Sequence, residues 1–186
     1  MNAHKPSSLK GYLLLGAPHV DHSPFQKSVI FLFAHDNNGA MGICINQAFD
    51  QTSLVELDET PTMQTGISQP VTILEGGPIE NDRGFIIHTA EYQHTNSFNV
   101  HDSFFVTNTT HFMPKENEEP KNIIFALGYT AWQKNSLEQE IQQNLWMLCP
   151  ATHELVFNAT LSQKWILSLL KIGITDPFLT SQAGHA

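Results

Sequence analysis

Two apolar runs that flank an Asn-Gly step are the feature that most constrains the fold. Residues 28–34 (SVIFLFA) are rich in β-branched and aromatic side chains, and residues 41–46 (MGICIN) follow after Asp36-Asn37-Asn38-Gly39. Asn-Gly between two such runs is the strongest short hairpin signal, because both turn residues of the favoured turn need positive φ. The sequence therefore predicts an antiparallel hairpin, and with it a sheet, near the start of the chain.

More strands than helices are predicted along the rest of the chain. Apolar runs predict strands at residues 12–15, 71–74, 84–89, 98–107, 123–127 (ended by Gly128), 146–148 and 155–157. Helices are predicted at residues 53–57, 136–145 and 162–171, the last two capped by Ser136 and Ser162. Because the strands do not alternate with helices, we expect one α+β domain over residues 1–186, with residues 1–9 flexible, rather than a doubly wound parallel sheet.

Composition narrows the classes of partner and compartment. The formal net charge is −9 over 186 residues, and no short window collects three basic side chains, which disfavours direct binding of nucleic acid. No run approaches the roughly 20 apolar residues of a membrane helix, so no membrane partner is expected. Cys44 and Cys149 form no CxxC pair, which favours buried reduced thiols and a cytoplasmic location.

The segment from Glu75 to His88 holds the densest signal, since it contains the only arginine of the chain. Gly76 and Gly77 precede Pro78, in a pattern that matches neither a P-loop nor a dinucleotide fingerprint. Two interpretations stay open. The glycines form a tight turn pinned by an ion pair of Arg83 with Asp82, Glu75 or Glu80, or their amides and the Arg83 guanidinium bind an anion.

A second candidate region is Gly128-Tyr129-Thr130-Ala131-Trp132, which we expect to be a loop beside the N-terminus of the helix at Ser136. Tyr129 and Trp132 are either core anchors of that loop or part of a ligand site. The chain contains no GxSxG and no HExxH pattern, and His19, Asp21 and His22 do not form a defined zinc motif. No catalytic residue, metal ligand or cofactor is therefore predicted.

The motifs, taken in order, resemble a known family over residues 11–186. They are Gly16-Ala17-Pro18, Phe25-Gln26-Lys27-Ser28, Gly39-Ala40-Met41-Gly42, Gly76-Gly77-Pro78, Asp82-Arg83-Gly84-Phe85, Gly128-Tyr129-Thr130-Ala131-Trp132, Asn144-Leu145-Trp146 and Gly184-His185-Ala186. This order resembles the AlgH/YqgE family of small bacterial proteins, often labelled transcriptional regulators. The resemblance implies an α+β fold with a bifurcated, mostly antiparallel sheet, a barrel-like portion and surrounding helices. It brings no established catalytic residues or cofactor.

The function predicted from these observations is that of a non-enzymatic, cytoplasmic regulatory or binding protein. Its partner would be a protein or a small anionic ligand, and the oligomeric state is not specified by the sequence. The predicted ligand-binding residues are Gly76, Gly77, Asp82, Arg83, His88, Tyr129 and Trp132. The alternative is a small hydrolase or an enzyme acting on an anionic ligand, which would use the region of Asp82, Arg83 and His88.

Overall fold

A computed structural model describes residues 8–18, 25–49, 72–101, 103–115 and 118–175. Within them lie nine strands: β1 (Tyr12–Gly16), β2 (Val29–Asp36), β3 (Gly39–Cys44), β4 (Ile73–Glu75), β5 (Ile79–His88), β6 (Phe98–His101), β7 (Phe104–Asn108), β8 (Ile123–Gln133) and β9 (Trp146–Pro150). The helices are a 3-10 turn (Thr109–His111), α1 (Ser136–Gln142), a π-helical turn (Glu154–Asn158) and α2 (Leu161–Lys171). The helix predicted at residues 53–57 lies outside the described residues, as do residues 1–7, whereas Leu9 is buried in the core.

The strands form one sheet in the order β6-β7-β5-β8-β3-β2-β1-β9, and β4 pairs with β8 beside this path. Every pairing is antiparallel except that of β4 with β8, which is parallel. Among the described residues the two ends of the order, β6 and β9, do not pair, so the sheet is not closed into the expected barrel. Two α-helices accompany the sheet in the described ranges, fewer than the surrounding set that the resemblance implied.

Strand β8 is the point at which the sheet branches. Its first half, residues 123–127, lies between β5 and β4, while residues 130–133 pair with β3. Gly128 stands between the halves with φ +72, a left-handed conformation that bends the chain and that side chains rarely adopt. The prediction that Gly128 ends the strand was wrong, because the glycine changes the direction and the partners of β8 without ending it.

Close backbone contacts hold the Gly-Gly-Pro segment against this bend. A Cβ built on Gly76 would lie 2.3 Å from the Gly128 carbonyl oxygen, and one built on Gly77 would lie 2.4 Å from the Tyr129 carbonyl carbon. A Cβ on Gly128 would in turn lie 2.2 Å from the Gly77 oxygen. Real Cβ atoms do not come so close, so glycine is required at all three positions for the two backbones to approach.

The core lies on both faces of the sheet, which explains the unbroken apolar run of β2. Phe31 and Phe33 belong to a cluster that includes Trp165 of α2. Ile30 and Leu32, which point to the opposite face, belong to a second cluster that includes Leu137 of α1. The alternating side chains of one strand thus bind both α-helices to the sheet.

The predicted hairpin is confirmed, but its turn differs from the expected one. The register pairs Asp36 with Gly39, so Asn37 and Asn38 occupy the turn. The Asp36 carboxylate accepts a hydrogen bond of 2.7 Å from the Asn38 amide. Gly39 begins β3, where a Cβ would lie 2.1 Å from the Trp132 carbonyl oxygen. This glycine therefore permits close packing of β3 on β8, a long-range requirement that the local Asn-Gly pattern did not reveal.

Three local predictions were wrong, two about the residues that cap helices and one about a strand. Helix α1 begins after Asn135, whose φ is +64, and no side chain caps it, so Ser136 is not the cap. Helix α2 begins after Thr160 rather than Ser162. Residues 155–157 lie in the π-helical turn and not in a strand. The prediction failed because three apolar residues are too few to distinguish the two structures by periodicity.

No helix of the described residues combines the length and the apolar character needed to span a membrane.

We expect Gly128→Ala to destabilise the protein by roughly 3 kcal/mol or more, because it combines a left-handed backbone with a clash against Gly77. Gly173→Ala is the matched control, since Gly173 has φ +87 but nothing within 4 Å of an added Cβ. Gly173→Ala should lower the free energy of unfolding by about 1–2 kcal/mol, which is the cost of the left-handed backbone conformation without a clash. Urea denaturation of the two variants measures the difference, and equal losses would contradict the proposed role of the backbone contact.

Candidate functional site

A pocket of ≈ 320 Å³ opens between α1 and the second half of β8. Its floor and walls come from four parts of the chain that the branch of the sheet brings together. The lining residues are Gly16, Phe25, Pro78, Ile79, Thr130, Ala131, Trp132, Glu140, Leu145 and Trp146. Most of this lining is apolar or aromatic, and pockets of this size and character are the usual sites for small ligands.

Of the described residues in that lining, Glu140 alone has an ionisable side chain. Its Oε2 accepts hydrogen bonds from both indole nitrogens of the pocket, 2.8 Å from Trp132 Nε1 and 2.7 Å from Trp146 Nε1. Helix α1 presents this carboxylate to the pocket, since Leu137, one turn earlier on the same face, is anchored in the core. Within the described residues no hydrogen bond reaches the other oxygen, Oε1.

The aromatic rings form a partial enclosure around this carboxylate. The Trp132 and Trp146 ring centroids lie 6.0 Å apart with an interplanar angle of 85°, and Phe25 lies 5.8 Å from Trp146. Aromatic faces attract cations, and a carboxylate strengthens this preference. Among the described residues, none in the pocket lining is basic. Its electrostatics therefore favour a cationic or neutral ligand over an anion.

The predicted glycines lie behind this pocket rather than in it. The Gly76 amide donates to the Leu127 oxygen at 2.7 Å, and the Gly76 oxygen accepts from the Cys44 amide at 2.8 Å. The Gly76 amide is thus engaged in the sheet and does not contribute to an anion-binding nest. The next two residues in the chain, Pro78 and Ile79, line the pocket, so the glycines position part of its wall.

Arg83 forms an exposed ion pair with Glu80 and lies outside the pocket lining. The distance from Nη1 to the Glu80 Oε2 is 2.8 Å, and the two side chains are 47% and 46% exposed. Tyr129 donates a hydrogen bond of 3.3 Å to the other Glu80 oxygen, and the guanidinium lies 5.2 Å above the centre of the Phe85 ring. The hydrogen bond from Arg83 is the main reason that the pKa of Glu80 is lowered. Of the two interpretations, this geometry matches the ion pair that pins the turn.

His88 is fully buried and its two ring nitrogens are both engaged. Nδ1 lies 3.0 Å from the Thr89 carbonyl oxygen, so it carries the proton. Nε2 lies 2.7 Å from the Thr107 hydroxyl, which in turn lies 2.6 Å from the Ser97 hydroxyl. Desolvation by burial lowers the pKa of His88 and favours the neutral ring.

The structure thus separates the predicted site residues into three environments. Asp82 and Arg83 are exposed, His88 is enclosed in the core, and Trp132 lines the pocket. Tyr129 joins the Arg83 ion pair through Glu80. The alternative of a hydrolase that combines Asp82, Arg83 and His88 therefore has no shared cleft to support it.

The sequence interpretation missed Glu140, Trp146 and Phe25. The available signal was a helix with two acids, Glu138 and Glu140, between two tryptophans, Trp132 before it and Trp146 after it. Such a pattern identifies a site only when the fold is known, because the fold brings both indole rings to the same face of the helix.

Thiol and metal chemistry gain no support from the described residues. Cys44 and Cys149 are buried, and desolvation raises the pKa of each thiol, which disfavours the reactive thiolate. Nowhere in the described ranges do three His, Cys, Asp or Glu side chains come together as metal ligands. His19, Asp21 and His22 lie outside those ranges.

Comparison with known proteins decides the family. A family model described as AlgH-like matches residues 13–176. This chain belongs to the AlgH-like family. A UPF0301 protein of Shewanella woodyi is 36% identical over 187 residues, covering 97% of this chain and 100% of the relative. A UPF0301 protein of Buchnera aphidicola is 36% identical over 188 residues, with 96% and 98% covered.

Two solved structures share the fold of this AlgH-like chain. The solution structure of the AlgH protein from Pseudomonas aeruginosa matches with a TM-score of 0.69 and 26% identity, covering 100% of both chains. A crystal structure of a protein from Corynebacterium diphtheriae also gives a TM-score of 0.69, with 20% identity and coverage of 89% and 86%. The resemblance to the AlgH family that the motifs indicated is thereby confirmed.

The stability of this AlgH-like protein should fall as the pH drops below about 6.5, the ordinary pKa of histidine. Because burial lowers the pKa of His88, the unfolded chain binds a proton there before the folded protein does. Urea denaturation between pH 8 and pH 5 measures this loss. His88→Gln should reduce the pH dependence, whereas His101→Gln, at an exposed position, should leave it in place. An unchanged dependence in His88→Gln would contradict the assignment.

Replacing Arg83 by lysine should leave the urea midpoint unchanged within experimental error. Exposed ion pairs contribute little to stability, and lysine keeps the charge beside Glu80. Denaturation of the variant and the parent in low and high salt tests this expectation. A large loss of stability, or a loss of ligand binding in the experiment described next, would show that the planar guanidinium has a role beyond this ion pair.

Proposed function

We propose that this AlgH-like protein is a non-enzymatic, cytoplasmic binding protein whose pocket between α1 and β8 takes an apolar ligand group bearing a positive charge. The observation that carries the proposal is the Glu140 carboxylate, held by two indole N–H groups inside an aromatic pocket. A regulatory role of the protein would then be exerted through occupancy of this pocket rather than through direct contact with DNA.

Preorganisation supports binding at this position. The two indole donors fix one oxygen of Glu140, so the carboxylate loses little conformational freedom when a ligand arrives. Hydrogen bonds to a charged acceptor are stronger than those between neutral groups, which keeps the rings in place around it. Oε1 remains available to a donor from the ligand, and the faces of Phe25 and the two tryptophans supply apolar contact and attraction for a cation.

The charge of the pocket is the reason to prefer a cation over the small anionic ligand expected from Arg83. An anion in this pocket would meet the negative charge of Glu140, and the described part of the lining contains no basic side chain to offset it. Arg83 does not supply that charge, because it is paired with Glu80 outside the lining. A cationic or donor-rich apolar group satisfies both Glu140 and the aromatic walls.

Three probes of the same shape test the proposal: phenethylammonium, 2-phenylethanol and phenylacetate. Trp132 and Trp146 line the pocket, so intrinsic tryptophan fluorescence reports binding directly. We expect affinity to fall in the order cation, neutral alcohol, anion. Equal affinities, or a preference for phenylacetate, would contradict the proposed charge selectivity, and no response to any probe would contradict the pocket as a binding site.

A pair of charge-neutralising variants separates the local effect of Glu140 from the general field of the acidic protein. Glu140→Gln keeps an acceptor for the indoles and should weaken binding of phenethylammonium about tenfold, or about 1.4 kcal/mol. Asp82→Asn removes the same charge at an exposed position outside the lining and should leave binding almost unchanged. The same loss in both variants would show that long-range attraction, and not the pocket, determines the selectivity.

A further inference from the structure

A second pocket, of ≈ 290 Å³, lies near the start of β8 and between the π-helical turn and α2. It shares no lining residue with the pocket that contains Glu140. Its lining differs in kind, because it includes the two lysines Lys121 and Lys164 together with Asn122. An apolar wall is provided by Phe157 and Leu161.

Lys164 is the unusual member of this lining, since its side chain is almost completely buried. Its Nζ donates hydrogen bonds to the Leu155 oxygen, at 2.9 Å, and to the Val156 oxygen. Among the described residues no carboxylate lies within ion-pair distance of Nζ. Burial of an ammonium without a counter-charge is costly, and this desolvation lowers the pKa of Lys164 to about 8.

Both acceptors of Lys164 belong to the π-helical turn, residues 154–158. Such turns are rare and are often found at functional sites. Lys164 itself lies in the first turn of α2, where the helix dipole opposes a positive charge. The field of the helix therefore favours the neutral amine here, whereas a lysine at the C-terminal end of a helix would be stabilised in its charged form.

The two carbonyl contacts also determine which part of a neutral Lys164 amine is left without a hydrogen bond. A neutral Nζ has two N–H bonds, which suit the two carbonyl oxygens, and one lone pair in the remaining direction. A desolvated lysine held in this way is an activated nucleophile toward carbonyl carbon. Lys121 and Asn122 provide a cation and an amide at the same pocket to orient an acidic substituent. Lys121 is 80% exposed, and its Nζ lies 3.7 Å from Glu91 Oε1, so an acidic substituent would replace or share this weak exposed ion pair.

We propose that Lys164 forms an imine with a small 2-oxo acid bound in this pocket. The Nζ lone pair adds to the keto carbon, and the carbonyl oxygen becomes the hydroxyl of a carbinolamine. Loss of that hydroxyl as water, with a proton from nitrogen, leaves a C=N bond. One water is released and no oxidant or reductant is consumed, while the carboxylate of the 2-oxo acid pairs with Lys121.

Other ionisable side chains among the described residues lie around this pocket. Lys121 lines the pocket and is paired with Glu91 at 3.7 Å. His153 is hydrogen-bonded to Asn122 at 2.9 Å, and Glu154 is exposed at the start of the π-helical turn. Glu154 accepts a hydrogen bond from Asn158, at 2.8 Å, on the same turn. The alternative role for Lys164 is purely structural, as a donor that caps the two carbonyl groups.

Reductive trapping distinguishes the two roles in the unmodified protein. The chain is incubated with pyruvate and cyanoborohydride across pH 6.5–9, and modified lysines are located by peptide mass spectrometry. Lys164 should be modified roughly tenfold faster or more than the exposed Lys134 and Lys171, because burial lowers the pKa of Lys164 to about 8 and the pocket holds the oxo acid beside it. Its rate should rise through about pH 8 and then level off.

Two variants complete the test. Lys164→Met should remove the fast modification, and Lys121→Ala should slow trapping of pyruvate while leaving trapping of acetone unchanged. Modification of Lys164 at or below the rate of the exposed lysines would overturn the imine site and leave the capping role. Equal effects of Lys121→Ala on pyruvate and acetone would overturn the assignment to 2-oxo acids. Neither result depends on the tryptophan pocket, whose probes are read out separately.

Discussion

The close approach of Gly76 and Gly77 to Gly128 is the constraint on which the rest of this structure depends. Three missing Cβ atoms allow two backbones to meet where a side chain on either would force them apart. The approach lets β8 bend with φ +72 and pair with β4 and β5 before the bend and with β3 after it. A conventional antiparallel strand would keep the same partners throughout and would close or flatten the sheet instead of branching.

The branch also determines where ligands can bind. It brings Pro78 and Ile79 into one pocket lining with Trp132, and α1 contributes Glu140 to the same lining. The lysine pocket lies toward the other end of β8, where Ile123 and Ile124 begin the strand beside the π-helical turn. Gly76 and Gly77 line neither pocket, and they act by setting the path of the strand that contributes to each, while Pro78 of the same motif lines the first pocket.

The sequence predicted what local patterns encode and missed what distant contacts impose. The apolar run of β2, the hairpin after it and the strand after residue 123 followed from periodicity and turn composition. Gly128 was taken for a terminator, because the need for glycine there comes from residues fifty positions earlier. For the same reason the sequence identified Trp132 as a candidate site residue but not the pocket around it, because Glu140 and Trp146 come next to Trp132 only in the folded chain. His88 was among the predicted ligand-binding residues, and a histidine at the end of a strand gives no local sign of the full burial that the structure shows.

Two buried bases, His88 and Lys164, show how burial alone does not distinguish a structural group from a chemical one. Desolvation lowers the pKa of both. At His88 each ring nitrogen has one partner, Thr89 or Thr107, so the neutral ring has no unused lone pair. At Lys164 the two carbonyl contacts use both N–H bonds of the neutral amine, and its lone pair remains beside a pocket. The count of donors and acceptors, more than the size of the pKa shift, therefore assigns His88 to the core and Lys164 to chemistry.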